Sequence, residues 1–62
     1  MTMHLIDAGP TQLLRAAGML EARGDIQQAV DLTVRAQRLT AAWNPHMAKR
    51  MEADINRLRG LL

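Results

Sequence analysis

The sequence predicts an all-α domain of three helices, and three observations carry that expectation. Apolar residues recur at three- and four-residue spacing through most of the 62 residues, the period of an amphipathic helix. Gly9-Pro10, Gly24-Asp25 and Asn44-Pro45 divide that pattern into three lengths, each break supplying residues that stop or start helices. No run alternates apolar and polar residues long enough to make a strand. With connections this short, consecutive helices lie antiparallel. The expected architecture is one domain over residues 1–62, an antiparallel helical hairpin plus a third amphipathic helix.

Residues 1–9 read as an N-terminal arm with Met3, Leu5 and Ile6 apolar, either a helical turn capped by Thr2 or an extended segment. The first helix spans 10–23. Pro10 suits its first position, where a missing N–H costs nothing, and Leu13, Leu14, Ala16, Ala17 and Leu20 form its apolar face, with Arg15 and Arg23 opposite. Gly24 fits the left-handed position after a helix end, and Asp25 is placed to cap the second helix.

That second helix spans 26–43, turning Ala29, Val30, Leu32, Thr33, Ala36, Leu39 and Trp43 toward neighbours. Asp31 and Arg35 stand four apart, the spacing of a surface pair. Asn44 caps the third helix, 45–59, with Pro45 first and Gly60 ending it. The stripe there is Met47, Met51, Ile55, Leu58 and then Leu62, against a wet face of His46, Arg50 and Arg57. Arg50 and Asp54 again have ion-pair spacing.

Composition narrows function. Apolar residues make up 48% of the chain, too many for a disordered tail. Without cysteine there is no disulfide framework and no thiolate zinc site. The apolar stretches, such as Ala16 through Leu20, fall far short of a bilayer span, and no secretory leader is visible, so the expected location is cytoplasmic. Eight basic residues against six acidic ones leave a net charge of +2, a weak field with its signs interspersed.

Enzymatic chemistry finds no constellation. Glu21 and Asp25 stand near each other across the first turn, where a cap and a helix-end charge account for them. His4 and His46 are far apart, Gly18 and Gly24 follow no strand, and no nucleophile–base–orienter set can be assembled. The expectation is no catalytic residue, no cofactor and no metal.

Nucleic acid fares little better. His46, Lys49, Arg50, Arg57 and Arg59 gather on the third helix, but Glu52 and Asp54 interrupt them and no aromatic residues accompany them. A helix-turn-helix reading would use the Gly24 turn and offer Gln27, Gln28 and Arg35 to bases. The more suggestive excess is methionine. Met47 and Met51 lie one turn apart beside Trp43, adaptable side chains that serve either as core between the second and third helices or as a surface accepting a partner.

Leu13 to Leu39 resembles a tetratricopeptide repeat, a helix–turn–helix unit. Taking Pro10 as the first repeat position, Ala17, Ala29 and Ala36 fall at that family's small positions. Leu13 and Leu20 fall at its large ones, and Gly24-Asp25-Ile26 falls at its turn. Thr33 stands for the usual aromatic, Ala16 for a usual leucine, and the closing proline is displaced to Pro45. The resemblance implies a capping role for the third helix and a ligand groove at Thr11, Leu14, Gly18, Glu21 and Ala22. Leu20 to Leu32 is also similar to the second half of a ubiquitin-associated domain, without its Met-Gly-aromatic loop. In size and build the chain is similar to the small helical co-chaperones of type III secretion.

A short chain with a single large aromatic barely offsets its own ordering entropy. The expected function is therefore protein–protein interaction, as an adaptor or chaperone-like module or through a homodimer, with Trp43, Met47 and Met51 joining the groove positions. The alternative is a small DNA-associated regulator built on the Gly24 turn.

Overall fold

The computed structural model describes residues 9–62, so the arm up to residue 8, its choice between helical turn and extended segment, and His4 lie outside the described residues. Three helices make up the chain from there: α1 (Pro10–Ala22), α2 (Ile26–Ala41) and α3 (Pro45–Arg59). Among the described residues there is no strand, and α1 and α3 each pack along α2. The result is an all-α three-helix domain, 33 × 28 × 12 Å in its Cα dimensions, a shallow layer with α2 in the middle.

Each helix starts and stops as its residues dictate. Pro10 and Pro45 occupy first-turn positions, and Gln12 reaches back so that its Oε1 accepts the Gly9 N–H at 3.2 Å. Gly24 takes φ +87°, and its N–H donates to the Glu21 carbonyl at 3.0 Å while that of Asp25 donates to the Leu20 carbonyl at 2.8 Å. Those two bonds are the paired closures of a Schellman motif, which needs a left-handed residue here. Asn44 caps α3 through Oδ1, accepting the Met47 N–H at 3.1 Å. Asp25 occupies the cap position of α2 without a side-chain capping bond; its carboxylate lies 3.9 Å from the Arg23 guanidinium instead.

The middle helix buries a row of small residues. Ala29, Thr33, Ala36 and Thr40 are all fully enclosed, spaced 4, 3 and 4 along one face, so that both flanking helices approach closely. Opposite them stand Leu13 and Ala17 of α1, and Ala48, Met51, Ile55 and Leu58 of α3. The Thr33 hydroxyl donates to the Ala29 carbonyl at 2.8 Å, whereas the Thr40 hydroxyl is buried with no hydrogen-bond partner among the described residues.

Several expectations are corrected. Helix α2 ends at Ala41, two residues early, so Trp43 is not carried onto the seam and stands 65% exposed. Leu39 is exposed too, because it lies about 100° from its neighbour Thr40 around the helix, off the buried row. In α3 the buried row begins at Ala48, which leaves Met47 exposed, and Leu62 lies beyond the helix end, also exposed. The expected Asp31–Arg35 and Arg50–Asp54 pairs do not form. Asp31 accepts from Gln27 at 3.2 Å, and Asp54 binds Arg57 at 2.8 Å.

Candidate functional site

A clamp joins α1 to α3. Arg57 on α3 makes a two-pronged contact with Glu21 on α1, 2.8 and 3.0 Å, and holds Asp54 at 2.8 and 3.0 Å with its other edge. The Glu21 carboxylate on this guanidinium joins helices that otherwise share few contacts, while Asp54 steadies it from within α3. The hydrogen bonds from Arg57 hold the Glu21 carboxyl below its ordinary value and raise the Arg57 guanidinium. Glu21 is thus a strut between α1 and α3, a role outside the groove that the repeat resemblance implies for it. Its partner, 36 residues away in sequence, leaves no local signal.

Two clefts lie along α2, one on each flank. Toward α1, a cleft of about 420 Å³ is lined by Ala16, Met19, Leu20, Arg23, Gln28, Asp31 and Leu32. Met19 is 68% exposed at its edge. Toward α3, a cleft of about 490 Å³ is lined by Val30, Val34 and Leu62 with Gln27, Asp31, Arg35, Arg38 and Arg59. The first is predominantly apolar and the second strongly basic.

The sequence-derived positions distribute unevenly over these features. Thr11, Gly18 and Ala22 are on α1, the first two exposed and Ala22 exposed as well at its end, on a different side of that helix from the residues lining the α1–α2 cleft. A Cβ at Gly18 would meet no atom within 4 Å, so the backbone is open to approach there. Leu14 is half-buried against Leu13, Ala36 and Met51. Trp43 and Met47 are exposed at the α2–α3 end, while Met51 is buried, part of the core and not of a partner-accepting surface. Sequence patterning does not single out Met19 and turns Leu39 inward; both are exposed large apolar side chains.

Among the described residues no three His, Cys, Asp or Glu side chains come together as a metal site, and none of the described helices is long and apolar enough to cross a membrane. Comparison of the chain with family models, with curated proteins and with solved structures finds no match.

Proposed function

We propose that this chain is a small protein–protein interaction module, and that the partner it first meets is a second copy of itself. The carrying observation is the mismatch between a thin core and an apolar exterior. Four of the nine buried apolar residues are alanine, while Met19, Leu39, Trp43, Met47, Leu61 and Leu62 are exposed. Burying such residues against another chain supplies what a shallow three-helix layer lacks. The apolar cleft between α1 and α2, edged by Met19, is suited to one face of an amphipathic helix. A chaperone-like or adaptor role, the kinship to tetratricopeptide hairpins and a cytoplasmic setting belong to the same reading.

The test is the mass of the chain by light scattering over a hundredfold dilution, with thermal melts on the same samples. Self-association predicts a mass above the monomer and a melting temperature that falls with dilution. Met19→Glu is expected to return the mass to that of a monomer. A monomeric mass throughout, with an unchanged melting temperature and no effect of Met19→Glu, contradicts the proposal.

The DNA-associated alternative draws on the exposure of Gln27, Gln28 and Arg35. Asp31 lies among them on the same helix and lines both clefts, which weakens a phosphate-tracking surface.

A further inference from the structure

The charges of the described residues are sorted in an unequal way. All five described carboxylate side chains are engaged: Glu21 and Asp54 by Arg57, Asp25 by Arg23, Asp31 by Gln27, and Glu52 by Gln37. Arg35, Arg38 and Arg59 take part in no ion pair among the described residues, and all three line the α2–α3 cleft. Arg35 and Arg38 stand three apart on α2, so they project from neighbouring positions, and Arg59 comes from the last turn of α3. Lys49 adds a further cation in the adjoining depression, beside Arg38.

We propose that the α2–α3 cleft binds an acidic amphipathic segment of a different protein, its carboxylates meeting Arg35, Arg38 and Arg59 and its apolar side chains resting on Val34 and Leu62. Charge complementarity is the first argument, because unpaired guanidinium groups are forked donors matched to carboxylates. The mixed lining is the second. Aliphatic side chains between the arginines receive the apolar face of a peptide and offer nothing to a sugar–phosphate backbone. No aromatic residue lines the cleft and Asp31 sits within it, the reverse of a stacking platform in a basic groove. Scale is the third: from Gln27 to Arg38 the cleft follows eleven helical steps, about 16 Å, the length of a three-turn helix. A different protein suits the cleft better than a second copy of this chain, whose Glu21 and Asp54 are already held by Arg57 and whose Asp25 lies beside Arg23. This cleft therefore serves a different partner from the apolar one beside Met19, the two sharing only Asp31 in their linings.

The experiment is fluorescence anisotropy of a labelled three-turn peptide with glutamates on one face and leucines on the other, titrated with the full chain. The same peptide with glutamine for glutamate and a labelled DNA duplex are run beside it, each at two salt concentrations. The glutamate peptide is expected to bind, to weaken with salt, and to exceed the glutamine peptide by about tenfold or more, the equivalent of one strong charge-assisted contact. Arg35→Glu with Arg38→Glu is expected to remove that preference while Met19→Glu leaves it intact. Circular dichroism is expected to show the charge-reversed chain still helical, as both arginines are exposed. Equal binding of the two peptides, no binding of the glutamate peptide, or tighter binding of the duplex lost with the same arginines would each overturn the proposal.

Discussion

At the scale of single residues, the buried row on α2 makes the sharpest demands. Ala29 is fully enclosed where α1 and α3 converge, in one cluster with Ala17, Val30, Ile55 and Leu58. Replacing it with Leu forces these neighbours apart, and the expected cost is about 1–3 kcal/mol, read from unfolding midpoints, with exposed Gln28→Leu as the near-neutral control. Thr40 makes the opposite prediction. Its hydroxyl is enclosed without a partner among the described residues, so Thr40→Val is expected to be neutral or to stabilise by about 1 kcal/mol. Gly18 is the third case: with open space at its Cβ in the interior of α1, Gly18→Ala is expected to stabilise by about 0.5–1 kcal/mol. A destabilised Gly18→Ala chain would mean that the backbone there is covered.

At the scale of elements, the legible part of the fold is the part that local rules determine. Pro10, Gly24, Asn44 and Pro45 mark helix ends, and the start of every helix matches expectation because first-turn chemistry is contained in three or four consecutive residues. The end of α2 is not legible in this way because Ala41, Ala42 and Trp43 carry no stop signal of their own; the turn is set by Asn44 and Pro45 downstream. The exchange of Met47 for Ala48 in the buried row of α3 reflects depth. Against the small seam of α2, a methyl group at close approach replaces a long side chain at the edge. The Glu21–Arg57 clamp is illegible in the sequence, since it joins residues on nonadjacent helices. Its consequence is a pH dependence. The folded Glu21 carboxyl titrates below its unfolded value, so the clamp's contribution is complete at neutral pH. It is lost as pH falls out of the ordinary carboxylate range and through the depressed folded value. Thermal melts across that range are expected to show a downward step in melting temperature that Glu21→Gln flattens; an identical profile in Glu21→Gln would assign the step to other groups.

At the scale of the whole molecule, a layer 12 Å thick leaves two broad faces. Arg57 braces α1 against α3, and the apolar and basic clefts lie on either flank of α2. The sequence announces an interaction surface through its excess of methionine, but it does not say which methionines stay outside. Met51 lies in the core and Met19 at a cleft edge, a choice made by the register between helices and not by the spacing within one. The groove positions drawn from the repeat resemblance meet the same difficulty: Leu14 is half-buried in the core, and Glu21 is bound to Arg57.

Met19 and the apolar cleft it edges are there to be covered by another copy of the chain. The most direct measurement is the melting temperature and scattering mass of the wild-type chain across a hundredfold dilution, repeated with Met19→Glu. Covering predicts a mass above the monomer that declines together with the melting temperature on dilution, and a Met19→Glu chain that is monomeric at every concentration. A wild-type chain that stays monomeric, with one melting temperature throughout and no difference from Met19→Glu, would contradict it.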